Sequence, residues 1–155
     1  VKLIKADADK FTFLIERRER QMLFRLLDLY PLVPLSHHQL SQSAEKSEDQ
    51  QLLEEALNQQ RMKNKEQVLA MLKSKSRFRE TEHGYHFSLK NEQMEWLLQV
   101  INDVRVGSWL LMGSPKNPVE TFAMLNQTTA SYYWAMEVAA GFQMVFLAAM
   151  EQPGT

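Results

Sequence analysis

Apolar residues recur at three- and four-residue spacing through the middle of the chain. This predicts a helix over residues 93–112, QMEWLLQVINDVRVGSWLLM. Met94, Leu97, Leu98, Ile101, Arg105, Ser108 and Met112 share one face, and Trp96, Val100, Val104, Trp109, Leu110 and Leu111 cover much of the rest. A helix apolar nearly all round is buried by neighbours on several sides. Asn91 is its expected N-cap. Gly113 can take the left-handed conformation after the last turn, and Pro115 cannot continue the helix. Asn102, Asp103 and Arg105 sit inside this apolar run. An isolated buried charge is very costly, so an arginine and an aspartate there must be paired or solvated. They form either a hydrogen-bond network that pins two helices or a ligand site.

Elsewhere the period changes. Phe11, Phe13 and Ile15 alternate with Thr12 and Leu14, so residues 2–6 and 11–15 predict a hairpin with one face on the core. Residues 78–81 and 85–89 predict a second hairpin around Glu82-His83-Gly84. A helix over residues 16–30 turns Met22, Leu23, Leu26, Leu27 and Tyr30 inward and ends at Pro31. Its Arg17, Arg18, Arg20 and Arg25 read as a solvated face with local Glu–Arg pairs. Pro31-Leu32-Val33-Pro34 is an extended connector. A long helix is expected from the capping-box sequence Ser47-Glu48-Asp49-Gln50 to about Ser74, although residues 58–67 are almost wholly polar. The last helix has the strongest start: Asn117 caps it, Pro118 takes the first turn and Glu120 stands at the capping-box position. Its inner stripe runs through Phe122, Asn126, Tyr133, Glu137, Ala140, Gly141 and Met144. The expected fold is one helix-dominated α+β domain over residues 1–155, a helical core with two small β-hairpins.

Composition removes several classes of function. The chain has no cysteine, which excludes disulfides, thiolate catalysis and cysteine metal sites and suits a reducing cytoplasm. Net charge is −1, which argues against a dedicated nucleic-acid binder. The N-terminal residues VKLIKADADK lack the apolar region of a signal peptide. Residues 132–150 look membrane-like, but Glu137, Gly141 and Gln143 interrupt them and no basic flank follows, so no membrane span is expected. His37-His38 and the pair His83 and His86 have no evident third ligand, so no metal is expected, and no organic cofactor either. The nine methionines mostly fall at core spacing.

Residues 101–113, INDVRVGSWLLMG, resemble the Leu-Asn-Asp-Leu-Arg-Leu…Gly motif of an uncharacterised bacterial domain-of-unknown-function family. In that family the motif is followed by a tryptophan-containing final helix, as Tyr132-Tyr133-Trp134 follows here. The family also opens on a short strand and a Glu-rich helix start, similar to residues 11–19. The match carries over to Asn102, Asp103 and Arg105 only. Val106-Gly107-Ser108-Trp109 stands where the family would have a Gly-Thr-Arg-Leu pattern. The resemblance implies a related fold and no activity. Some members of the family sit beside a proteolytic-adaptor gene, which implies partner binding.

Three functions compete. A non-enzymatic interaction or regulatory module, with an unknown protein partner or a homodimeric copy, suits the missing nucleophile–base set and the apolar excess of the last two helices. A winged-helix-like DNA-binding protein suits the strand–helix start and a second hairpin with Arg77 and Arg79 as a wing, but no compact second and third helices around a tight turn are visible. An enzyme would have to use Asp103 or Glu137, and no further catalytic group converges on either. The loop 113–117 is short, so the helices on either side of it should pack antiparallel. Counting outwards from Pro115 sets Arg105 level with Leu125, one residue from Asn126, and far from Glu137. Arg105 is therefore expected to bond to Asn126 or a nearby carbonyl, and Asp103 to a different element, such as an arginine of the first helix.

Overall fold

The computed structural model describes residues 1–34, 48–74 and 76–152. Strict alternation builds its sheet. Phe11, Phe13 and Ile15 of β2 (Lys10–Ile15) and Phe87 and Leu89 of β4 (Gly84–Lys90) are buried, while the residues between them are not. β1 (Lys2–Ala6) pairs with β2, and β3 (Phe78–Thr81) pairs with β4, so both expected hairpins form. They are not separate. β2 and β4 pair antiparallel from Lys10↔Lys90 to Ile15↔Tyr85, giving one four-stranded sheet of order β1-β2-β4-β3. The physical reason is that a lone hairpin leaves two edges of unpaired backbone and is marginal in water. Gly84, at φ 138°, makes the turn, and a Cβ there would lie 2.4 Å from the Ile15 carbonyl oxygen.

The helices close over the inner face of the sheet. α1 (Arg17–Asp28) buries Leu23, Leu26 and Leu27, with Tyr30 just beyond it. Its start is fixed by Glu19 Oε1, which accepts from the Glu16 N–H at 3.0 Å. α2 (Glu48–Lys73) is one continuous helix, as expected, and projects past the core: its described buried residues are Gln50, Val68, Met71 and Leu72. The expected cap at Ser47 lies outside the described residues. α3 (Asn91–Met112) begins one residue earlier than anticipated, with Lys90 as N-cap; its backbone N–H donates to Gln93 Oε1 at 2.9 Å. Gly113 ends it at φ 109°.

The last helix is two helices. Asn117 does cap a helix, its Oδ1 accepting from the Glu120 N–H at 2.9 Å, but that helix is the short α4 (Pro118–Met124). Leu125 is extended, and α5 (Ala130–Met150) starts anew. α3 and α5 run antiparallel, because Arg105 meets Gln143 while Trp109 shares a hollow with Tyr133 and Met136. Ala135, Ala139, Phe142, Phe146 and Ala149 of α5 face the core, and Phe146 packs edge-on to Phe13 at 5.2 Å. Most of the buried apolar side chains form one cluster between sheet and helices.

The first helix's arginines are not simply solvated. The Arg20 guanidinium lies over the Phe78 and Tyr85 rings at 4.7 and 4.5 Å and so ties α1 to the sheet. Arg17 pairs with Glu80 of β3 at 3.0 Å, and Arg25 lies 5.6 Å from the Trp134 ring.

Candidate functional site

Successive helical residues point 100° apart, so Asp103 and Arg105 face opposite flanks of the stripe that α3 buries. Val100, Val104, Gly107 and Ser108 lie in that stripe. The three polar residues therefore make two separate sites.

On one flank, Asp103 holds the connector that follows α1. Its Oδ1 accepts from the Leu32 N–H at 2.7 Å and from the Val33 N–H at 3.2 Å. Its Oδ2 stands 3.7 Å from Arg61 of α2, with both side chains largely buried. Asp103 thus turns to a different element, as expected, but the arginine comes from α2. Gly107, one turn on, is what lets the connector come so close: a Cβ there would lie 2.4 Å from Leu32 Cβ and 2.8 Å from the Val33 nitrogen. Beside this clamp, Lys65 donates to the Tyr30 carbonyl at 3.0 Å. Burial pushes the Tyr30 hydroxyl above its ordinary pKa, the Asp103 carboxylate adds to that rise, and a hydrogen bond with Asn64 and the Arg61 charge oppose it.

On the other flank, Arg105 Nη1 donates to Gln143 Oε1 at 2.8 Å, and Gln143 Nε2 donates to Asn102 Oδ1 at 3.1 Å. Gln143 is the buried member, at 7% exposure; Asn102 and Arg105 are exposed. This corrects two expectations. The cluster is not in the core, and Arg105 does not meet Asn126. The count from Pro115 fails because α4 and the break at residues 125–129 take up chain without advancing along α5. The antiparallel turn is centred near Met124. Asn126 instead starts α5: its Oδ1 accepts from the N–H groups of Thr128 and Thr129 at 2.8 and 3.0 Å, and its own N–H donates to Thr129 Oγ1 at 3.0 Å. Glu137 is exposed on α5, with no hydrogen-bond or ion-pair partner among the described residues.

Among the described residues these positions do not all come together at one place. The five candidates divide into a clamp (Asp103), a helix–helix bridge (Asn102, Arg105), a cap (Asn126) and a surface carboxylate (Glu137). Among the described residues no three His, Asp or Glu side chains converge as a metal site. His83 is exposed at the β3–β4 turn, His86 bonds to Arg79, and His37-His38 lies outside the described residues. Sequence reasoning missed Gln143, Arg61 and Gly107. For Gln143 there was a signal, a lone amide in an apolar helix. No family model, curated protein or solved structure matches the chain.

Proposed function

We propose that this chain is a non-enzymatic interaction module of the bacterial cytoplasm, that it docks through the open face of α5, and that a second copy of the chain is its occupant. The observation that carries this is the exposure of an apolar helix. Ala130–Met150 has a mean hydropathy of 1.3 over its most apolar stretch, yet only 33% of that stretch is buried. Met144 is 72% exposed and Leu147 48%. With Ala140, Gly141 and Ala148 they make a face whose one charge within α5 is Glu137, with Glu151 at the helix end. Apolar faces of this kind mark association sites.

A two-fold axis brings the same face of each copy together. An antiparallel crossing at Ala140 and Gly141 has room for close approach, since a Cβ on Gly141 would meet nothing within 4 Å. It sets Glu137 of one copy level with Met144 of the other, next to its Gln143, with Glu137 and Met144 of one helix about 10 Å apart along the axis. Arg105, exposed and bonded to Gln143, then stands opposite Glu137 of the other copy. A membrane fits less well, because the opposite face of α5 is committed to the core and a polar network flanks it. The likeness of residues 101–113 to a family with a suggested partner-binding role points the same way.

Multi-angle light scattering tests this directly. The chain is expected at twice its monomer mass. Glu137→Arg and Arg105→Glu should each give monomers, and the two together should restore the dimer. A monomer at all concentrations, no rescue in the double variant, or flotation of the chain with lipid vesicles overturns the proposal.

A further inference from the structure

The sheet has a second face. The two-residue period that buries Phe11, Phe13, Phe87 and Leu89 turns Lys10 and Thr12 of β2 and His86, Ser88 and Lys90 of β4 away from the core. The register sets Lys10 opposite Lys90, Thr12 opposite Ser88, and Arg79 of β3 opposite His86. These residues, with Ser76, Arg77 and Gln93, line a hollow of about 710 Å³. Among the described residues its walls hold Lys10, Arg77, Arg79 and Lys90 and no carboxylate. Among the described residues none of the four is paired with an acid.

That segregation stands out in a chain with 18 basic and 19 acidic residues. Like charges directly opposite on neighbouring strands destabilise a sheet, so Lys10 facing Lys90 costs the fold stability. A concave surface of one sign focuses its field on the space it encloses. The donors are also positioned. Arg77 is held by its Nε on the Met71 carbonyl at 3.1 Å and its Nη1 on the Ser88 carbonyl at 2.6 Å. Arg79 Nη2 lies 3.1 Å from His86 Nδ1. Arginine cannot accept, so Nδ1 is the acceptor in this bond. On the floor the Thr12 and Ser88 hydroxyls are 2.8 Å apart. Whichever donates, the other keeps a free hydrogen for an anion in the hollow. Among the described residues the rings at this hollow are the His86 imidazole, bonded to Arg79, and Phe87, which is 1% exposed with its ring stacked on Phe13. No Phe, Tyr or Trp ring is exposed there as a stacking platform among the described residues, so recognition rests on charge and hydrogen bonds.

We propose that this hollow binds a small polyphosphate, gripped through its phosphate oxygens by Lys10, Arg79 and Lys90, with Arg77 and the hydroxyl pair beneath. Its volume suits a small ligand. A nucleic-acid duplex spreads its phosphates along an extended rod and would leave most of the concave wall unused.

Calorimetric titration of the full chain with inorganic tripolyphosphate is the test. Saturable binding with one ligand per chain is expected. Arg79→Gln, and the pair Lys10→Gln with Lys90→Gln, should each weaken it by about tenfold or more, the scale of one charge-assisted hydrogen bond. Lys63→Gln, exposed on α2, should leave it unchanged. The double lysine variant should melt no lower than wild type, which separates a lost ligand contact from unfolding. Absence of saturable binding, equal binding by all the variants, or a short DNA duplex that binds and is not displaced by tripolyphosphate overturns the proposal.

Discussion

Gly107→Ala is a substitution for which local and tertiary reasoning give opposite signs. In a helix interior, alanine is favoured over glycine by about 1 kcal/mol, so α3 considered alone would gain. In the fold, the added Cβ would lie 2.4 Å from Leu32 Cβ, 2.7 Å from the Leu32 carbonyl carbon and 2.8 Å from the Val33 nitrogen. Two of those atoms are backbone, so no side-chain rotation relieves the contact. The connector must move, and it is pinned by two hydrogen bonds to Asp103 Oδ1. Overpacking costs about 1–3 kcal/mol. Losing one bond to a charged acceptor costs about 1.5–3 kcal/mol. Set against the helix gain, the net loss is about 2–5 kcal/mol, or roughly 5–15 °C in Tm for a domain of this size. Urea unfolding followed by circular dichroism should give a lower midpoint with an unchanged slope. Gly141→Ala is the control. A Cβ there meets nothing within 4 Å, so it should gain about 1 kcal/mol when measured at submicromolar concentration, where self-association does not contribute. A Gly107→Ala chain as stable as wild type would refute the clamp.

Two further outcomes follow from the same geometry. Arg105→Ala should cost at most about 1 kcal/mol, because an exposed side chain leaves Gln143 accessible to water, whereas Asp103→Ala strands two backbone N–H groups and should cost about 3 kcal/mol; equal losses in urea titrations would sink this ordering. Tyr30 has its pKa raised in the folded chain, so the stability it confers is complete below about pH 10, the unfolded value, and is lost as pH rises through the higher folded value. Thermal melts of Tyr30→Phe should therefore fall off less steeply than wild type above pH 10, and parallel curves would show that another group governs the alkaline limit.

Local rules were enough for the elements. Alternation at residues 11–15 and 85–89, the apolar stripe of 93–112 and the Asn117-Pro118 start each reflect a preference set by neighbours within a few positions, and each formed close to where it was expected. The sequence left the continuity of α2 through its polar middle open between one helix and two; a single helix forms, and nothing in residues 58–67 breaks it. What the chain alone left open was how the elements meet. The merging of two hairpins depends on β2 and β4, more than 60 residues apart, satisfying each other's backbone edges. Asn102, Asp103 and Arg105 lie within four residues, yet tertiary packing sends Asp103 to the connector and Arg61 while Asn102 and Arg105 share Gln143, because 100° per residue carries neighbours to opposite flanks of one helix. The register of α5 against α3 turned on a break at Leu125, where the strong cap at Asn117 gave no sign that its helix would be only 7 residues long. The basic hollow likewise needs three strands side by side before Lys10, Arg79 and Lys90 share one field, and only the paired sheet brings them together.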